Sequence, residues 1–261
     1  MIPKTIHYCW FGKNPLPQIA VKCIESWKKY AGDFQIVEWN EDNFDVSQAP
    51  EYVKQAYQEK RWAFVSDYAR LKVVYDNGGI YLDTDVELVR SIDKLLDNNA
   101  YFAMDQKCLV ASGLGFGAVK GAPILLDIMK QYETLSFFNE NREPNPTPCP
   151  ITETAVLKKH GLQQTDSVQT LENSVVVFPW EYFDPMDRDF GKIKKTRNTY
   201  SIHHYSALWK SEEEQKKRKE WVEYNKKERL DSIKHLPNRI LKSVFGEKFY
   251  QHIKTIVKRH K

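Results

Sequence analysis

FVSDYARLKVVYDNGGIYLDTDVELV, Phe64 to Val89, reads as helix, turn, strand and acidic corner. Phe64, Tyr68, Leu71 and Tyr75 recur at helical spacing, which predicts a helix with one apolar side. Asp67 and Arg70, three apart, share a flank of that helix. Asn77, Gly78 and Gly79 end it, because glycine adopts the left-handed backbone that a helix end prefers. Ile80, Tyr81 and Leu82 are β-formers, and their strand runs into Asp83, Thr84 and Asp85. If the extended conformation persists, Tyr81, Asp83 and Asp85 share a side. Two carboxylates at a strand end can hold a hard divalent cation through oxygen. A D-x-D pair alone is more often a solvated turn. Here an apolar strand feeds the pair and a charged helix precedes it, and burying so much charge is costly unless it is paired or metal-bound.

Outward from this stretch, strands and helices alternate. Lys4–Trp10 reads as a first strand, followed by the loop Phe11–Pro15. In an α/β fold a nucleotide sits at the carboxyl end of such a strand, and a Trp there can stack on a base, although core packing is the commoner use. Leu16–Tyr30 reads as a helix with Ile19, Val21, Cys23, Ile24 and Trp27 on its apolar side. Phe34–Trp39 reads as a strand and Pro50–Glu59 as a short helix. That order predicts a parallel-centred sheet covered by helices.

Beyond Asp85, Val86–Val89, Tyr101–Met104, Leu109–Val119, Val175–Pro179 and Thr199–Tyr205 are strand candidates. Ile92–Leu96, Ala122–Tyr132 and Ile151–His160 are helix candidates. Ser112–Gly117 (SGLGFG) lacks the spacing of a phosphate loop and reads as a glycine-relieved strand lining an acceptor groove. The Pro- and Asn-rich run at 139–150 is the clearest loop. Trp180, Tyr182 and Phe183 suit core packing better than sugar stacking. A His near the end of a late strand, His203 or His204, can close a metal shell opposite the acidic pair, since imidazole suits Mn²⁺; His203 is favoured. Lys210–Lys234 is a charged helix, and beyond Pro237 a second spans Asn238–Val257.

A chain of 261 residues can bury a sizeable core. The four cysteines show no C-x-x-C spacing, which predicts reduced thiols rather than a zinc or disulfide framework. MIPKTIHYCW lacks the apolar run of a signal peptide, and no stretch has the length of a membrane span; the expected location is cytoplasmic. Net charge is +4, yet Lys210 onward carries 16 Lys and Arg against 8 Asp and Glu. The expectation is a catalytic domain over 1–210 and a basic helical extension over 211–261, whose Lys-edged apolar stripe suits the surface of an anionic membrane. Nucleic acid is not expected as a partner.

Ser66-Asp67-x-x-Arg70, followed by Gly78-Gly79-Ile80-Tyr81-x-Asp83-x-Asp85, resembles the core of sugar-nucleotide glycosyltransferases with DXD sequences. The group includes initiating mannosyltransferases and capsular polysaccharide transferases, and more distantly the large clostridial glucosylating toxins. The resemblance implies an α/β fold of the GT-A type, a UDP-sugar donor and Mn²⁺ or Mg²⁺ as cofactor. I-H-x-x-W-x-G resembles the family's opening strand and assigns Trp10 to the donor's uracil. Asp83 would contact the ribose and the metal, Asp85 would ligate the metal, and Asp67 paired with Arg70 would hold the donor sugar. Tyr81 and Trp209 are counted with the donor site. H-H-Y-S-A-L-W (203–209) departs from the family's H-H-W-x-x-S-W, with Tyr205 for Trp and Ser206 displaced. Retention of anomeric configuration is implied likewise. The expected acceptor is a lipid-linked saccharide in capsule or exopolysaccharide synthesis. The alternatives are a toxin-like effector that glycosylates a protein, a metal-dependent phosphohydrolase and an inactive sugar-nucleotide binding module.

Overall fold

Strand and helix alternate as expected through the first eighty residues. β1 (Thr5–Cys9) leads to α1 (Gln18–Tyr30), and β2 (Gln35–Trp39) to the short α2 (Glu51–Gln58). α3 (Trp62–Asn77) feeds β3 (Gly79–Tyr81) with only Gly78 between them. β4 (Val86–Leu88), β5 (Ala100–Ala103) and β6 (Phe116–Ala118) follow, then α4 (Pro123–Tyr132) and α5 (Cys149–Lys159). β7 (Gln169–Leu171), β8 (Val175–Phe178) and β9 (Ser201–His203) precede α6 (Glu212–His235). This computed structural model describes residues 1–144, 147–206, 212–235 and 249. The chain divides into two units, Met1–Met186 with Ile193–Trp209, and Asp187–Lys192 with Lys210–Lys261. The second helix expected over Asn238–Val257, with its membrane-facing stripe, and Trp209 lie outside the described residues.

The central sheet has the order β2-β1-β3-β6-β5-β8-β7. β2, β1, β3, β5 and β8 run one way, and β6 and β7 run against them. It is a mixed, mostly parallel sheet between helices, the α/β class expected. β4 and β9 form a separate antiparallel ribbon. The central strands β1, β3, β6 and β5 are buried on both faces, whereas the edge strands β2 and β7 are partly exposed. Tyr81, Phe102 and Val177 face a core shared with α2, α3, α4 and α5. Ile80, Tyr101 and Val176 face a second core, shared with α1 and the ribbon.

His7 locks the joint between α3 and the sheet. Trp39 Nε1 donates to His7 Nδ1 at 3.0 Å, so the proton sits on Nε2, which donates to the Gly78 carbonyl at 2.8 Å. Burial lowers the His7 pKa and keeps the ring neutral. Gly79 has φ +113°, and a Cβ there would lie 2.7 Å from His7 Nε2, so this turn requires glycine on both counts.

Four expectations need correction. α3 is not one-sided: Val65, Ala69, Val73 and Val74 are buried along with Tyr68 and Leu71, because the helix is enclosed by the sheet, α2 and α4. On α1, Val21 is exposed and Ala20 takes its place in the core. Leu109–Val119 is not one strand: Val110 makes an isolated bridge to Met104, Ser112–Leu114 forms a 3-10 turn, Gly115 has φ +123°, and the strand itself is Phe116–Ala118. The extended chain after Tyr81 ends at Asp83, where the Val86 amide donates to the Asp83 carbonyl at 2.9 Å and closes a turn.

Candidate active site

The site gathers where β1 and β3 end side by side. β3 presents Tyr81 and then Asp83, and α3 brings Asp67 and Arg70 across from the adjacent core. Arg70 is the hub. Its Nη2 lies 2.8 Å from Asp67 Oδ1 and 3.4 Å from Asp83 Oδ1, and its Nε donates to the Ser66 carbonyl at 3.1 Å. The guanidinium also stands over the Tyr81 ring at 5.1 Å, while the Tyr81 hydroxyl donates to Asp83 Oδ1 at 2.9 Å. Arg70 is buried, a costly place for a cation unless it is well paired. Burial alone would lower its pKa, but Asp83, Tyr81 and Asp67 outweigh that and raise it, so it stays charged. Burial pushes the Asp67 carboxyl up, and Arg70 pulls it back.

The turn at Asp83 directs Asp85 toward the β4–β9 ribbon. Val86 pairs with His203 in that ribbon, so His203 lands beside Asp85, with Nε2 3.0 Å from Oδ1. The Ser206 amide and hydroxyl donate to Asp85 Oδ2 at 2.8 and 2.6 Å, and the His204 amide donates to the Asp85 carbonyl at 3.0 Å. Burial would raise the Asp85 pKa, but the His203 charge and these bonds hold it well below the usual range. The His204 ring instead meets Glu87 at 2.8 Å.

Asp83, Asp85 and His203 each offer a ligand atom, and these atoms lie within 4.8 Å of one another. Two carboxylates and one imidazole form a donor set suited to Mn²⁺ or Mg²⁺. His203 Nδ1 is buried with no hydrogen-bond partner among the described residues, so nothing on that side competes for the ring.

Trp10 follows β1 at the same end of the sheet. It is half-buried, and its Nε1 donates to the Asn14 carbonyl at 2.6 Å. Its neighbour Cys9 is buried against the site: burial pushes its thiol up to about 12, with Arg70 lowering it and Asp83 and Asp67 raising it. Phe183 is core, as expected.

Sequence reasoning misses Ser112, Gly113 and Glu153 as contributors to the site. Ser112 and Gly113 sit against Arg70 and Asp83, and a Cβ on Gly113 would lie 2.5 Å from Asp83 Oδ2. Glu153 on α5 is fully buried behind Ser112. Ser206 bonds Asp85 directly. The SGLGFG run was the available signal for Gly113; nothing in ITETA marks Glu153 as inward-facing.

Residues 17–102 match the family model of the glycosyltransferase sugar-binding region containing a DXD motif. Inositol phosphoceramide mannosyltransferase 3 of Schizosaccharomyces pombe is 28% identical over 139 residues, 52% of this chain and 38% of that protein. The uncharacterized glycosyltransferase L373 of Acanthamoeba polyphaga mimivirus is 30% identical over 111 residues, 39% of this chain and 43% of its own. The chain thus spans less than half the length of these curated relatives. Among solved structures, the PaToxG glycosyltransferase shares 18% identity at a TM-score of 0.47, covering 60% of this chain and 68% of that one. Residues 17–102, which carry Asp67, Arg70, Asp83 and Asp85, are thus similar to the sugar-binding region of the DXD glycosyltransferases.

Proposed function

We propose that the protein is a metal-dependent retaining glycosyltransferase that moves a sugar from a UDP-sugar to a saccharide acceptor. The observation that carries this reading is the convergence of Asp83, Asp85 and His203 within 4.8 Å, beside the Arg70–Asp67 pair. A divalent cation bound there supplies Lewis-acid charge to a departing diphosphate. Asp85 and His203 hold the cation, and Asp83 reaches both it and the nucleotide ribose. Trp10 offers its ring to the uracil, with Tyr81 and Trp209 as further donor-site residues. Asp67, fixed by Arg70, takes hydroxyls of the transferred sugar, and Arg70 lends positive charge at the same place. The described site offers no separate nucleophile, which suits front-face displacement.

A lipid-linked acceptor in capsular or extracellular polysaccharide synthesis fits the basic C-terminal segment. The name of the fission-yeast relative also pairs a sugar with a lipid-borne acceptor. Among the described residues no helix is long and apolar enough to cross a membrane. A cytoplasmic place, peripheral at an anionic inner face, belongs to the same proposal and rests on the basic C-terminal segment.

The test is a panel of mass-tagged UDP-sugars plus GDP-mannose, incubated with Mn²⁺ and scored for slow donor hydrolysis without acceptor. Hydrolysis of a UDP-sugar supports the reading. Hydrolysis of GDP-mannose alone moves the donor to guanine, and release of phosphate from simple monoesters instead points to a phosphohydrolase.

A further inference from the structure

Behind the Asp67–Arg70 pair lies a buried carboxyl that the mechanism above does not use. Glu153 stands on the second turn of α5 and is 0% exposed. Its Oε2 accepts the Ser112 amide at 2.8 Å, and its Oε1 lies 2.5 Å from the Ser112 hydroxyl. Ser112 is itself 0% exposed, and its Oγ accepts from Arg70 Nη1 at 3.3 Å. Next along the 3-10 turn, Gly113 packs so closely on Asp83 and Arg70 that it has no room for a side chain. The adjacent Thr154 anchors the same segment, its Oγ1 accepting the Val110 amide at 2.9 Å.

We infer that Glu153 is a positioning residue: through Ser112 it fixes the Arg70 guanidinium in the plane that serves Asp67 and Asp83 together. The inference rests on the transferase reading of that pair. Arg70 has one face on Tyr81, Nη2 shared between two carboxylates and Nε on Ser66. Nη1 is the remaining corner of the fork, and the Ser112 hydroxyl holds it. A lone serine hydroxyl rotates freely, whereas one gripped at both its amide and its oxygen by the same carboxyl does not. Burial pushes Glu153 up to about 8, against the Ser112 bonds and Arg70, so at neutral pH the group is mostly an uncharged acid. It therefore directs the fork without adding a further full negative charge beside Asp67 and Asp83.

The chemistry of the contact selects the variants. Glu153→Gln keeps the grip, its carbonyl accepting the Ser112 amide and its NH₂ donating to Oγ. Glu153→Leu removes the grip, and Ser112→Ala removes only the hydroxyl. With Mn²⁺ and the UDP-sugar that wild type hydrolyses, kcat is expected to fall about tenfold or more in Ser112→Ala and Glu153→Leu, as for outer partners of a site. It should recover in Glu153→Gln, and the Kd for UDP should change far less than kcat in all three. If Glu153→Leu fails to fold, Ser112→Ala carries the test, since it changes a single buried atom. Full turnover in Ser112→Ala overturns the inference, as does a loss of UDP binding that matches the loss of turnover. If wild type hydrolyses no nucleotide sugar, the transferase reading fails separately. The Arg70 Nε–H resonance in ¹⁵N-labelled protein then tests positioning alone: a shift in Ser112→Ala supports it, and an unmoved resonance refutes it.

Discussion

His203 Nε2 lies 3.0 Å from Asp85 Oδ1, and the register of the β4–β9 ribbon sets that contact by pairing Val86 with His203. Without a cation the two form an ion pair. Burial would lower the His203 pKa, but the Asp85 charge and hydrogen bond outweigh it and raise it above its usual 6.5. A metal ligand must be neutral imidazole, so the cation has to displace that proton. Mn²⁺ affinity should therefore rise with pH through the His203 titration. Calorimetry in buffers of different ionisation enthalpy should show proton release on Mn²⁺ binding, and this release should vanish in His203→Gln.

Trp10 is half-buried at the mouth of the sheet, not in the core. Trp10→Ala is expected to weaken UDP binding by ~1–3 kcal/mol, the worth of a base stacked on an aromatic ring, with little change in Tm. An unchanged UDP affinity with a collapsed Tm would return Trp10 to a packing role.

Arg70→Lys keeps the charge but loses the planar fork that serves Asp67, Asp83 and Ser112 at once. Turnover should drop, and chemical denaturation should show a stability loss of ~1–3 kcal/mol from buried groups left unpaired. UDP affinity should fall far less than turnover, because UDP lacks the transferred sugar that the Asp67–Arg70 pair holds and touches Arg70 only through Asp83. A large loss of UDP binding would instead put Arg70 on the diphosphate.

Much of this site is legible in the sequence because it is local. Asp67, Arg70, Tyr81, Asp83 and Asp85 lie within one helix–turn–strand segment; helical spacing puts Asp67 beside Arg70 and strand spacing puts Tyr81 beside Asp83, whereas the turn that redirects Asp85 is not legible in that period. The place of His203 depends on antiparallel pairing between distant strands, and the sequence separates it only narrowly from His204. Ser112, Gly113 and Glu153 were missed for the same reason. They reach Arg70 through tertiary packing, and a glutamate in ITETA looks the same whether it faces solvent or core. α3 departs from a one-sided helix because the sheet, α2 and α4 cover most of its circumference and leave only a narrow polar edge at Lys72 and Asp76, which blurs the periodicity of an amphipathic helix. The antiparallel setting of β6 also has no local signature, since three-residue strands carry too few positions to show direction.

Glu153 makes stability depend on pH in a direction opposite to most acids. Its folded-state pKa is raised by burial from 4.5 to about 8, with Ser112 and Arg70 opposing and Asp67 adding to the rise. Tyr132 and Cys149, which also sense Glu153, have pKa values raised far above that range and stay neutral. The unfolded chain releases the Glu153 proton first, so this contribution is fully present below pH 4.5 and is lost as pH climbs to about 8. Thermal melts across that range should show a decline in wild type that is flatter in Glu153→Gln. Equal slopes would show that Glu153 ionises normally.

The central claim is that Asp83, Asp85 and His203 form a cation site that serves a nucleotide. The most direct measurement is an electron paramagnetic resonance titration of Mn²⁺, with and without UDP, on wild type and Asp85→Asn. Wild type is expected to bind Mn²⁺ more tightly when UDP is present. Asp85→Asn should keep its fold, lose that binding, and lose donor hydrolysis by about 10² or more, equivalent to several kcal/mol of Lewis-acid stabilisation. Mn²⁺ and UDP binding of equal strength in both proteins, or full hydrolysis by wild type in EDTA, would contradict the assignment.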